Sequence, residues 1–241
     1  MAKLQDNKSE GKKHGAIPSA VFCIIYLIFV AVIAVYTYMR YKDGSIATRE
    51  IYRYQFGFMM AVLLGLGDSF HLIPRVIVWL KGSLWNEQMF LGIGNIISSI
   101  TMTIFYNILI KMGDSIELSD AFYNLNIERL ILLFTEIRII ILLLPMNRWF
   151  SEDGSRPWAI IRNVPFVIIG ILTVIGFINV IRNSYIMPTG FYINMIVTVI
   201  FSFVFYLPVA IDGKKHTVLG VLMIPKTLCY MWMMCVIAFW H

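Results

Sequence analysis

Long apolar runs separated by short polar breaks dominate the sequence. Seven of these runs are apolar on all sides of a helix, and each has roughly the 20 residues that one helix needs to cross the hydrocarbon core of a bilayer. The pattern therefore predicts an all-α membrane protein, a seven-transmembrane-helix bundle. The predicted spans are 16–38, 56–80, 89–110, 130–146, 158–181, 187–210 and 217–240.

The first 15 residues are polar and lysine-bearing, and the first apolar run follows them directly. This run is longer than the apolar region of a typical signal peptide, and no small-residue cleavage pattern closes it. We therefore expect residues 1–15 to form a polar N-terminal tail. Residues 16–241 are expected to form a single seven-helix transmembrane domain that retains its first span.

Composition supports lipid as the solvent for most of the chain. Charged residues make up 14% of the 241 residues and hydrophobic ones 59%, against about 25% and about 45–50% in soluble domains. The net charge of +6 is scattered over the tail and the loops, which indicates contact with lipid headgroups and not with nucleic acid. The three cysteines lie in apolar runs without paired spacing, so neither a metal site nor a cofactor is predicted.

Lysine and arginine are distributed unevenly between the two sides of the predicted bundle. The tail and the even-numbered loops carry nine of them, whereas the odd-numbered loops carry seven. By the positive-inside rule, this distribution favours a cytoplasmic N-terminus and an external C-terminus in a multi-pass protein of the cell membrane.

The second predicted span carries the densest group of ionisable residues. Asp68 lies at the middle of the span, and His71 and Arg75 follow it at spacings that place all three on one helical face. Pro74 removes a backbone hydrogen bond and frees the carbonyl group of Phe70. An acid, an imidazole and a free carbonyl within two turns indicate a proton or cation site.

Three further ionisable residues lie near the middle of later spans. Lys226 follows a proline in the last span, and Tyr230 lies one turn further along the same face. Glu136 and Arg138 are both central in the fourth span but point in different directions, because they are two residues apart. We expect one of these two to face the interior of the bundle.

Charged side chains at mid-span are unfavourable by about 2.5–3.5 kcal/mol each on insertion scales. They are therefore expected to converge on one internal polar cavity, with acids and bases nearly balanced in an ion-pair network. The candidate ligand-binding residues are Asp68, Ser69, His71, Arg75, Asn95, Glu136, Arg138, Lys226 and Tyr230.

Two polar stripes at helical spacing have two readings: they line the cavity, or they join helices by hydrogen bonds. The stripes consist of Asn95, Ser98, Ser99 and Tyr106 in the third span and of Asn194, Thr198, Ser202 and Tyr206 in the sixth. Arg148 and Arg162, near span ends, are expected to extend outward to the membrane surface.

Two strings, GDSFHLIPR and LMIPKTLCY, resemble segments of a group of uncharacterised small bacterial seven-helix membrane proteins. That resemblance covers most of the chain and implies the fold but no activity. The sequence is also faintly similar to the alkaline ceramidase-like membrane hydrolases, through Asp68, Ser69 and His71. It departs from them because the last span lacks the H-x-x-x-H pair that completes their zinc site.

Four functions remain open from the sequence. The leading hypothesis is a non-enzymatic cavity that binds or transports a small solute, a proton or a lipid headgroup, with Lys226 and Arg75 holding an anionic group. The alternative is a metal-dependent lipid hydrolase of the ceramidase-like type. A structural or partner-binding subunit is a third hypothesis, and a retinal Schiff base on Lys226 is a fourth.

Overall fold

The computed structural model describes residues 2–43, 45, 47–81, 86–117, 126–151, 155–183, 187–213 and 217–240. Within these ranges it describes the side chains of all residues except 2–17, 79–81, 217 and 218. This part of the chain is helical, as the apolar pattern predicts. The helices are α1 (Ala2–Lys42), α2 (Thr48–Lys81), α3 (Glu87–Glu117), α4 (Ile127–Leu143), α5 (Arg156–Asn183), α6 (Thr189–Asp212) and α7 (Met223–Phe239).

Six of the described helices, all except α4, are long and apolar enough to cross a membrane. The prediction of a helical multi-pass membrane protein is confirmed to that extent. The polar stretch 1–15 is helical from Ala2 and continuous with the first span. Short 3₁₀ turns at Pro145–Asn147 and Thr217–Leu222 follow α4 and precede α7.

Consecutive helices run in alternating directions. The start of α5 therefore meets the end of α6, where Arg156 pairs with Asp212 across 2.8 Å. The start of α2 meets the end of α7, where Arg53 donates a 2.6 Å hydrogen bond to the carbonyl oxygen of Trp240. We call the end of the bundle at which α3, α5 and α7 begin the proximal end, and the opposite end the distal end.

Glycines let α2 and α3 approach closely. A methyl group at Gly94 would collide with the carbonyl oxygen of Phe70, the group that Pro74 leaves without its usual helical donor, and would lie 2.8 Å from the Cα atom of His71. A methyl group at Gly67 would lie 2.7 Å from the Cβ atom of Thr101. This close packing holds the polar face of α2 against the polar stripe of α3.

Candidate functional site

A polar cavity of about 310 Å³ lies at the proximal end and is lined by residues of α2 to α7. Its deeper walls carry four of the candidate residues named from the sequence, His71, Asn95, Arg138 and Lys226. A fifth candidate, Arg75, is half-buried in the wall. The cavity reaches the proximal surface, because the loop and helix-end residues Arg148, Ser155, Arg156, Asp212, Gly213 and Gly220 also line it.

Arg138 comes from the buried face of α4. That face repeats at spacings of four, three and four residues, through Ile131, Thr135, Arg138 and Leu142, so the helix turns the arginine inward. The side chain is only 1% exposed, and its guanidinium carbon lies 3.4 Å from the centre of the Phe166 ring. Its Nε and Nη1 atoms have no hydrogen-bond partner among the described residues.

Lys226 occupies the cavity wall at the first turn of α7 and is 7% exposed. Its Nζ atom lies 4.8 Å from the centre of the Tyr206 ring and 5.4 Å from that of Tyr230. The Tyr230 hydroxyl is 3.4 Å from that of Tyr106, which is 2.9 Å from the Ser202 hydroxyl. Two aromatic faces therefore support this ammonium group, and the hydroxyl of one of the two rings belongs to a chain of hydroxyl groups.

Arg162 stands nearer the mouth, with its guanidinium carbon 4.3 Å from the centre of the Trp149 ring. Its Nη1 atom donates a 3.5 Å hydrogen bond to the side-chain oxygen of Asn147. Arg148 is exposed at the mouth and also lines the cavity. Both arginines were expected to extend outward to the membrane surface. Arg148 is exposed at the proximal surface, whereas the half-buried Arg162 lies in the cavity wall. Arg162 shares a face of α5 with Phe166, four residues on, and that spacing was the signal available in the sequence.

Positive charges outnumber negative ones among the described residues that line the cavity. Among the described lining residues there is one carboxylate, Asp212, and it is paired with Arg156. No described carboxylate lies within ion-pair distance of Arg75, Arg138, Arg162 or Lys226. Aromatic rings support three of these four cations in place of acids, by contacts that are worth up to about 2 kcal/mol when desolvated.

Asp68 lies behind the cavity wall, between α1, α2 and α3. It accepts a 2.6 Å hydrogen bond from the Tyr26 hydroxyl and a 3.1 Å hydrogen bond from the Ser98 hydroxyl. Ser98 itself lines the cavity, so one side chain separates this carboxylate from the cations. The expected ion-pair network does not include Asp68 among the described residues, where hydroxyl groups are the donors to this carboxylate.

Four of the nine candidate residues do not line the cavity: Asp68, Ser69, Glu136 and Tyr230. Glu136 is exposed on the face of α4 opposite to Arg138, which resolves the direction of that pair. The Ser69 hydroxyl donates a 2.8 Å hydrogen bond to the carbonyl oxygen of Leu66 within its own helix. In the described part of the chain no three His, Cys, Asp or Glu side chains are grouped to hold a metal ion.

The two polar stripes have different roles. In α3, Asn95, Ser98 and Ser99 line the cavity. In α6, Tyr206 lines the cavity and also donates a 3.1 Å hydrogen bond to Asn163. The other three residues of this stripe form hydrogen bonds within or between helices. Asn194 accepts one from the Trp232 indole, Thr198 donates one to the backbone of its own helix, and the Ser202 hydroxyl shares one with Tyr106.

Comparison of the chain with protein-family models, with curated proteins and with solved structures gives no match. The resemblances to small bacterial seven-helix proteins and to ceramidase-like hydrolases therefore stay predictions. The function has to be argued from the cavity itself.

Proposed function

We propose that the chain is a seven-span membrane protein whose proximal cavity binds an anionic ligand without catalysing its conversion. The observation that carries this proposal is the uncompensated positive charge. Arg138 and Lys226 are buried, and no described acid pairs with them. Buried charges are strongly unfavourable unless they are paired, so a site built in this way is complete only when an anion enters it.

We infer that α4 is the seventh span. Its 17 residues extend about 25 Å at 1.5 Å per residue, close to the hydrocarbon thickness of about 30 Å. Large apolar side chains cover its outer face, with Leu132, Ile140 and Leu143 between 53% and 64% exposed. In this arrangement the outer face, which also carries the exposed carboxyl group of Glu136, lies towards lipid, and the opposite face lies towards the cavity.

The proximal end is also the side of the N-terminus, for which the Lys and Arg distribution favours the cytoplasm. We therefore propose that the cavity takes its ligand from the cytoplasmic side. A reporter pair fused to the C-terminus tests this orientation. Alkaline phosphatase should be active there and green fluorescent protein dark, and the reverse pattern would place the cavity mouth outside the cell.

An anion series tests the binding proposal. Thermal unfolding of the detergent-purified protein is followed with chloride, sulfate, inorganic phosphate and pyrophosphate at constant ionic strength. A ligand at about 100 times its dissociation constant stabilises the folded state by about 2.7 kcal/mol. We expect the multiply charged oxyanions to raise the melting temperature, because several cations can contact one such ion.

Lys226→Met should remove most of that stabilisation. Arg182→Met serves as the matched control, because Arg182 is an exposed cation in the last turn of α5 at the distal end. Loss of the anion effect in both variants, or in neither, would contradict the proposal. A purely structural role for the cluster predicts that Lys226→Met changes folding yield and leaves the anion response of the folded fraction intact.

A further inference from the structure

A second cavity of about 970 Å³ adjoins the cationic one at the proximal end. The two share Arg75, Asn95 and Trp149 in their walls, so they lie side by side. The second cavity lies between the first turns of α3 and the turn at residues 149–151. We call it the groove.

The groove combines apolar side chains with exposure. Met89, Leu91, Trp149 and Phe150 line it, and Met89 and Phe150 are 43% and 53% exposed. The polar residues of the lining, besides those shared with the cationic cavity, are Asn86, Glu87, Gln88 and Ser151. Gly92 also lines it, and a methyl group there would lie 2.7 Å from the Phe150 ring, so this glycine lets the ring rest on α3. Because α3 is a membrane-length helix that begins at Glu87, the groove lies where that helix enters the bilayer.

Cationic side chains follow one another from the mouth of the cavity inward along α5. Arg156 stands at the mouth, and Arg162 follows six residues later, about 9 Å deeper along the helix axis. Phe166, which carries Arg138 against its ring, lies about 6 Å deeper again. The charged path is thus about 15 Å long, with Lys226 and Arg75 on the opposite walls.

A singly charged ligand would leave most of these cations uncompensated. A phosphomonoester carries about −1.5 to −2 charges at pH 7, and a diphosphate carries more. Its oxygens also match the paired N–H groups of arginine, which bind phosphate in a bidentate manner. The side-chain amide of Asn95 in the same wall adds a neutral donor. The hydroxyl hydrogens of Ser98 and Tyr206 are already donated, to Asp68 and Asn163.

We propose that the cavity and the groove together form one site for a lipid whose headgroup carries a phosphomonoester or a diphosphate. The phosphate lies among Arg75, Arg138, Arg162 and Lys226, and the hydrocarbon chain leaves along the groove past Met89. This proposal rests on the anion-binding function above and adds the class of ligand. The proposal is supported by charge complementarity in the cavity and by the exposed apolar side chains of Met89 and Phe150 in the groove, at the level where α3 enters the bilayer.

Four probes separate the contributions of phosphate and chain in equilibrium binding to the full-length protein in detergent. They are short-chain phosphatidic acid, glycerol phosphate as its chain-free headgroup, short-chain phosphatidylcholine as a chain without net charge, and inorganic pyrophosphate. We expect phosphatidic acid to bind at least about tenfold more tightly than glycerol phosphate and pyrophosphate, and phosphatidylcholine not to compete.

Two variants assign the halves of the site. The double variant Met89→Ala/Phe150→Ala should weaken phosphatidic acid binding and leave glycerol phosphate binding unchanged. The matched control, Leu132→Ala/Leu133→Ala, removes apolar side chains of similar exposure, 53% and 49%, from the lipid face of α4 and should change neither. Arg162→Gln changes a half-buried cation and should weaken the binding of both phosphatidic acid and glycerol phosphate. This variant serves as the test if variants of the buried cations fail to fold.

The outcomes distinguish the two proposals. If glycerol phosphate or pyrophosphate binds as tightly as phosphatidic acid, the ligand is a free phosphate compound and the lipid inference is overturned, while the anion site stands. If phosphatidylcholine competes equally, the groove is a general lipid contact and the headgroup inference is overturned. If no phosphate probe binds, both this inference and the proposed function fail.

Discussion

Replacing Arg138 by methionine should stabilise the ligand-free protein and abolish anion binding. The guanidinium is 1% exposed and lacks hydrogen-bond partners, among the described residues, for two of its nitrogen atoms. Each unsatisfied buried donor is unfavourable by about 1–3 kcal/mol, and more for a charged group. The contact with the Phe166 ring offsets up to about 2 kcal/mol of this. Methionine has a similar length, fills the space flexibly and needs no partner.

The net expectation is a gain of about 1–3 kcal/mol in the free energy of unfolding, the sign found when buried charges are exchanged for apolar residues. In a chain of this size each kcal/mol shifts the melting temperature by about 2–4 °C. Thermal unfolding without ligand should therefore show a rise of several degrees. Addition of inorganic pyrophosphate, which should stabilise the unmodified protein, should no longer have an effect.

The essential part of this prediction is that the same substitution raises stability and removes anion binding. A residue that only holds the bundle together would show the reverse, with a lower melting temperature and an unchanged response to the anion. That pair of results would refute the assignment of Arg138 to a binding site. Arg182→Met, in the exposed last turn of α5, is the control in which both quantities should stay near those of the unmodified protein.

Three other substitutions test separate parts of the structure. Gly94→Val should destabilise the protein by about 1–3 kcal/mol or more in thermal unfolding, because the added side chain collides with the α2 backbone, whereas Gly220→Val, where nothing lies within 4 Å, should be tolerated. Arg53→Met should lower stability by about 2 kcal/mol, because it removes the charged hydrogen bond to the carbonyl of Trp240, and an unchanged unfolding transition would contradict this. Ser99→Asp places an acid in the cavity wall and should weaken pyrophosphate binding at least about tenfold. The neutral Ser99→Asn should largely keep the affinity for pyrophosphate. Equal affinity in the two variants would show that the surplus of positive charge does not determine binding.

Much of the architecture follows from the apolar pattern, because helix length and bilayer thickness are physically matched. Helical spacing also places His71 and Arg75 on one face, and both residues line the cavity. The same argument gives the α3 side of the wall, since Asn95, Ser98 and Ser99 recur along one stripe. These inferences succeed because each concerns a single helix, whose geometry is known in advance.

Contacts between side chains of different helices could not be predicted from helical spacing. The bond from Tyr26 to Asp68 joins residues 42 positions apart, and nothing local in the first span marks this tyrosine as a donor. The direction of α4 was equally undetermined, because Glu136 and Arg138 are both mid-span and only packing against α5 selects the arginine. The role of Arg162 depended on Trp149, which lies on the far side of a loop.

The separation of acid from base is what the proposed anion-binding function requires of the cavity. A carboxylate beside Lys226 or Arg138 would satisfy these cations internally, and an incoming anion would then have to displace it. Here two hydroxyl groups hold Asp68 behind the wall, and aromatic rings hold the cations in front of it. A ring stabilises a cation without cancelling its charge or occupying its N–H groups, so a phosphate can add its own bonds to those already present. On the proposed function, the free energy that unpaired buried cations cost the protein would be recovered when an anion binds.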